Sequence, residues 1–139
     1  MNTLTLIRGL PGSGKTTLAL ELTDTYTVCL EADSYFYDDY GNYVFDANQL
    51  KQAHEACQNE TERKLSLGYN VLVSNTFTTL SEMKPYFLMA KKLRVPFNVI
   101  TCQGSFGNVH AVPDETLNKM QARFFHGPVI QELEKLYGV

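Results

Sequence analysis

The chain has 139 residues, 44% of them apolar, enough for one domain with its own hydrophobic core. Twelve Lys and Arg stand against 15 Asp and Glu, and the balance of −3 excludes a uniformly basic coat that tracks nucleic-acid phosphates by bulk charge. Cys29, Cys57 and Cys102 form no C-x-x-C pair, which argues against a disulfide framework or zinc knuckle and for a reducing, cytoplasmic setting.

In chain order, Thr3 to Arg8 alternates and is β-rich, Gly9 to Gly14 is a glycine loop, and Lys15 to Leu22 reads as helix. Tyr26 to Leu30 is a second strand ending at Glu31-Ala-Asp33, and Ser34 to Phe45 shows no helical period. Asp46 and Gln49 resemble a capping box, and Leu50, Ala53, Cys57, Thr61 and Leu65 mark one stripe of a helix that stops at Gly68. Asn70 to Asn75 is a third strand, Thr79 with Glu82 caps a helix through Leu93, and Pro96 to Cys102 is a fourth strand. A polar loop from Gln103 to Val112 leads to helices over Asp114 to Phe125 and Pro128 to Tyr137. No apolar stretch near the start approaches the roughly 18 residues of a spanning helix. With no internal repeat or linker, one domain is expected over residues 1–139. Apolar strands alternating with helices imply an α/β three-layer sandwich on a mostly parallel sheet of about four strands, whose ligand sits at the carboxyl ends of the strands.

Gly9-Leu-Pro-Gly-Ser-Gly-Lys-Thr16 matches G-x-x-x-x-G-K-[ST] without a mismatch, between a predicted strand and a predicted helix. A chance match in a chain this long is on the order of half a per cent. Small residues let successive backbone N–H groups turn inward as an anion nest, and the helix start adds its positive dipole end. Lys15 then reaches β/γ-phosphates and the Thr16 hydroxyl ligates Mg²⁺. The candidate nucleotide-binding residues are Gly9, Gly12, Ser13, Gly14, Lys15, Thr16 and Thr17. A dinucleotide fold competes, since Gly12-Ser-Gly14 begins a G-x-G and Asp33 follows about 20 residues on, but the third small position falls on Thr17.

Asp33, directly after strand two, is expected near the end of strand one and the γ-phosphate. There it would take the proton of an attacking hydroxyl or hold the magnesium shell; otherwise it is a turn residue at Ser34. Tyr35, Phe36, Tyr37, Tyr40, Tyr43 and Phe45 lie within eleven positions. They read as a hairpin-like excursion packed on the sheet, or as a stacking wall for a flat acceptor. After strand four, Arg123 or Lys119 could supply the cation of a lid over the phosphates, and His110 is either structural or catalytic. Lys91, Lys92 and Arg94 read as an exposed helix C-terminus.

Together, the block from Arg8 to Thr17, Glu31-Ala-Asp33 with its aromatic tail, Glu82-Met-Lys-Pro-Tyr86, and Asn108-Val-His-Ala-Val-Pro113 with Met120 and Arg123 resemble one family. It is the P-loop NTPase, kinase-like group that includes the 5′-kinase domain of phage polynucleotide kinase and the kinase-like domain of certain animal ubiquitin-ligase-binding proteins. The resemblance implies an ATP- and Mg²⁺-dependent kinase acting on a nucleic-acid 5′-hydroxyl or a nucleotide, with Lys15 and Thr16 on phosphates and metal. It further implies Asp33 as general base, and Arg123 in or beside the lid. Two departures stand out: Ser74-Asn-Thr76 lacks the family's carboxylate after strand three, and Gly107 occupies the lid-arginine position. The rivals are a small-metabolite phosphotransferase and an ATP-binding interaction module with weak or no chemistry. No membrane and no obligate protein partner are implied.

Overall fold

The computed structural model describes residues 2–104 and 112–138. Four strands, β1 (Leu4–Arg8), β2 (Thr27–Leu30), β3 (Asn70–Ser74) and β4 (Phe97–Thr101), form one parallel sheet in the order β2-β3-β1-β4. Strand one therefore lies between strands three and four. All five β1 residues are buried, which suits a central strand flanked on both edges, with Leu4 opposite Val71 on one side and Phe97 on the other.

Among the described residues, five helices connect and cover the strands: α1 (Lys15–Leu22), α2 (Leu50–Ser66), α3 (Leu80–Leu93), α4 (Asp114–Arg123) and α5 (Val129–Tyr137). Period-two alternation sends Leu4, Leu6, Val71 and Val73 to one face, where they pack with Cys57 and Leu65 of α2, Met83, Tyr86 and Phe87 of α3, and Leu133 of α5. The opposite face presents Ile7 and Leu72 to Leu18 and Ala19 of α1. Both faces thus carry helix, but unevenly. Because α1 has only eight residues, a groove of about 740 Å³ remains over Thr3, Thr5, Leu72 and Ile100.

The local signals act as expected, with small boundary shifts. Asp46 caps the chain by accepting the Asn48 N–H, but what it starts is a short 3₁₀ turn, Ala47–Gln49, which then runs into α2. Thr79 accepts the Glu82 N–H to open α3, and Gly68, at φ 96°, follows the end of α2. Arg94 closes α3 in the left-handed region at φ 57° without being glycine. The Ser34–Phe45 stretch begins inside a 3₁₀ turn, Ala32–Phe36, and then doubles back, with Tyr37 bridging Tyr43 antiparallel. The hairpin-like reading of this segment is the one its backbone follows. Among the described residues no helix is long and apolar enough to cross a membrane.

Candidate active site

The glycine loop leaves the carboxyl end of β1 and enters α1, the place its spacing indicates. Gly12 at φ 80° and Gly14 at φ 93° adopt left-handed backbone, which turns the loop tightly enough for Ser13 N–H to reach the Leu10 carbonyl at 3.0 Å. Gly9 is required for a different reason: a Cβ there would lie 2.8 Å from the Cys102 carbonyl and would also strike Ser13. Gly14 starts α1 with no side-chain cap, so the first helical amides face outward as an anion site.

Lys15 folds over this loop and donates from Nζ to the Leu10 carbonyl at 3.0 Å. Burial lowers its pKa below the ordinary lysine value, while the Cys102, Glu31 and Asp33 side chains pull it back up. A desolvated ammonium above a ring of amides is ready to exchange a carbonyl for an anionic oxygen. Thr16 and Thr17 are exposed, and Ser13 Oγ is buried with no hydrogen-bond partner among the described residues. A cradle closed to a Cβ, uncapped amides and a half-buried lysine fit the phosphates of a nucleoside triphosphate.

Asp33 sits in the 3₁₀ turn after β2, and β3 separates that strand from β1. Asp33 therefore does not emerge beside the end of β1, because β3 intervenes; its charge pulls the Lys15 pKa up from the far side of that strand. One side chain from elsewhere bonds the turn and a second lies beside it. Asn75 Oδ1 accepts the Ala32 N–H at 2.8 Å, and the Tyr43 phenol lies near enough to Asp33 to feel its charge. Tyr43 has its pKa raised by burial first, then by the charge of Asp33.

Residues 75–79, between β3 and α3, join the parts of the site. The Gly9 N–H reaches the Thr76 carbonyl at 3.2 Å, and Arg8 Nε donates to the Phe77 carbonyl at 3.0 Å. Phe77 bends the segment at φ 45°. Thr78, fully buried, accepts from Arg123 Nε at 2.9 Å and donates from Oγ1 to Glu82, whose carboxylate also accepts the Thr78 N–H at 3.2 Å. Arg123 is thus brought to the same end of the sheet as the glycine loop. Lys119 instead pairs with Glu115 at 3.3 Å on an exposed helix face.

Arg8, Asn75 and Thr78 escaped sequence reasoning as site residues, and Tyr43 was read there only as one ring of a hairpin or stacking wall. Arg8 alone carried a local signal, a charge ending an apolar strand. It is 1% exposed, with its guanidinium 4.1 Å from the Phe124 ring centroid and its pKa lowered by burial against the opposing pull of Glu82.

Lys91 and Lys92 are engaged at the far end of the sheet, with Glu134 and Glu62, each at 2.8 Å. Gly107, Asn108 and His110 lie outside the described residues. Among the described residues no cluster of three or more His, Cys, Asp or Glu could hold a metal, so a cation here would rely on Thr16, Asp33 and ligand oxygens.

The AAA domain family matches residues 4–109. Human NEDD4-binding protein 2 is 36% identical over 145 residues, covering 91% of this chain, while the chain spans 8% of the length of that relative. Among solved structures, one in a Pnkp1/Rnl/Hen1 complex superposes with a TM-score of 0.63 at 18% identity over 85% of this chain and 38% of its own. The APS kinase of Mycobacterium tuberculosis does so with a TM-score of 0.57 at 14% identity, over 96% and 97% of the two chains. With its glycine loop between β1 and α1 and its β2-β3-β1-β4 parallel sheet, the chain belongs to the AAA domain family and has the P-loop kinase-like fold.

Proposed function

We propose that this protein is an ATP- and Mg²⁺-dependent kinase that phosphorylates a hydroxyl, with a polynucleotide 5′-hydroxyl or a nucleotide as acceptor. The observation that carries this reading is Lys15, folded over the glycine loop onto the Leu10 carbonyl and within reach of the Asp33 charge from the turn after β2. The similarity to human NEDD4-binding protein 2 and to the fold of polynucleotide kinase and APS kinase structures supports it.

ATP held in the loop supplies a phosphoryl group activated for transfer to an alcohol. The amides at the start of α1 and Lys15 Nζ bind and orient its anionic oxygens, and the exposed Thr16 hydroxyl is available to the magnesium shell. A carboxylate oxygen of Asp33 takes the proton of the acceptor hydroxyl as that oxygen attacks the γ-phosphorus and ADP leaves, with the Tyr43 phenol beside the carboxylate. Arg123, held by Thr78, offers a guanidinium to charge that develops during transfer. A second reading, an ATP-binding module without transfer, is favoured by Asn75: the segment after β3 brings a carboxamide already engaged with Ala32 where the family has a carboxylate.

γ-Labelled ATP is offered with 5′-hydroxyl oligonucleotides, nucleosides and small alcohols to the wild type, Lys15→Met and Asp33→Asn. Label on a 5′-hydroxyl that Lys15→Met abolishes and Asp33→Asn strongly reduces is the expected result. Undiminished transfer by Asp33→Asn removes it as the base, and ATP binding without transfer to any acceptor leaves the binding module.

A further inference from the structure

Between Lys15 and Lys51 the sequence holds no Lys or Arg and seven acids: Glu21, Asp24, Glu31, Asp33, Asp38, Asp39 and Asp46. The hairpin that follows Asp33 carries Asp38 and Asp39 and no Lys or Arg, and it repels a phosphate backbone. The same stretch presents aromatic rings. Phe36 is buried and anchors the hairpin, its ring 5.1 Å from Phe45 and 6.3 Å from Tyr43. The Asp33 charge acts on the Tyr43 phenol, and the Tyr37 ring lies 5.2 Å from Tyr43 while remaining 47% exposed. Asp38 fixes the turn, its Oδ1 accepting the Tyr40 and Asn42 N–H groups at 2.9 Å each. An exposed ring is therefore held on a braced backbone, next to the Tyr43 phenol on which the carboxylate proposed to deprotonate the acceptor acts.

We infer that this hairpin is the acceptor's base platform, on which the 5′-terminal nucleobase of a nucleic-acid strand stacks against Tyr37 while its 5′-hydroxyl meets Asp33. The inference rests on the polynucleotide reading above and adds which part of the strand is recognised. Stacking needs no sequence and no phosphate. The acids confine recognition to the terminal nucleoside and direct the remaining strand away from the hairpin. The −3 balance of the chain and its missing basic track are then features of an end-reader, not defects of a strand-binder.

The test uses 5′-hydroxyl oligonucleotides of one sequence whose first nucleoside is natural, abasic or 2-aminopurine, in lengths from two nucleotides to about twenty. The wild type is compared with Tyr37→Ala and Tyr37→Phe, changes at an exposed position. An abasic end or Tyr37→Ala is expected to raise the acceptor KM about tenfold, with the KM for ATP unchanged and Tyr37→Phe close to wild type. The fluorescence of 2-aminopurine should fall on binding to wild type and not to Tyr37→Ala, and lengthening beyond a few nucleotides should change KM little.

Transfer that is indifferent to an abasic end, or affinity that climbs steadily with length, overturns the platform and leaves the kinase reading standing. Quenching without transfer sinks the kinase reading alone. Phosphorylation of cationic amino alcohols in place of oligonucleotides, with no quenching, shows that the acids and rings serve a different ligand and overturns the inference.

Discussion

Asn75 Oδ1 accepts the Ala32 backbone N–H at 2.8 Å, so the residue that follows β3 also sets the turn that follows β2. Asp33 is the next residue after that bond. In Asn75→Ala the Ala32 amide, on a residue only 6% exposed, loses its acceptor, at a cost of about 1–3 kcal/mol. Urea unfolding should show that loss. Steady-state kinetics should show kcat falling more than the KM for ATP, because the glycine loop itself is untouched.

Lys15→Met separates the cost of the buried lysine from its use. Burial lowers the Lys15 pKa, so the folded state holds that proton less tightly than the unfolded chain, and this group's contribution to stability rises as pH climbs towards the ordinary value of 10.5. Without nucleotide, Lys15→Met is expected to melt at or above the wild-type temperature at pH 7, with the difference narrowing as the pH is raised. Magnesium and ATP should raise the melting temperature of the wild type and not of the variant. Scanning fluorimetry across pH, with and without nucleotide, reads both effects.

Gly9→Ala tests the closeness of the loop to β4. The new methyl would stand 2.8 Å from the Cys102 carbonyl, and since backbone cannot yield as a side chain does, the loop must move. A loss of about 1–3 kcal/mol in stability is expected. Weaker ATP binding in calorimetry should accompany it.

Thr78→Val keeps the shape of a fully buried residue and removes the hydroxyl between Arg123 and Glu82. Glu82 loses a donor and Arg123 an acceptor, so about 1–3 kcal/mol of stability should go. If Arg123 acts on the reacting phosphoryl group, kcat falls about tenfold in Thr78→Val and further in Arg123→Ala, with the KM for ATP little changed. Equal kcat in Arg123→Ala and wild type would restrict Arg123 to holding the residue 75–79 segment.

The hairpin was legible as an excursion because six aromatics beside Asp-Asp and Gly-Asn turns fit no helix. Its chemistry was not legible, because Tyr43 comes near Asp33 only when the chain doubles back at Asp38. Lys119 and Arg123 looked alike, four positions apart on one helix. Only their partners, Glu115 for one and Thr78 for the other, tell them apart.

By itself the sequence determined the glycine loop, its place between strand and helix, the caps at Asp46 and Thr79, and the alternation that makes a parallel α/β sheet. These depend on neighbours within one or two turns, where residue type acts directly on backbone geometry and on the faces a helix or strand presents. Tertiary structure decided which distant groups share the site. The Asn75 bond to Ala32 spans 43 residues and the Arg123 bond to Thr78 spans 45, and both follow from the β2-β3-β1-β4 order that places the carboxyl ends of all four strands side by side. No local period encodes such a pairing, because it is set by how the helices pack the strands together.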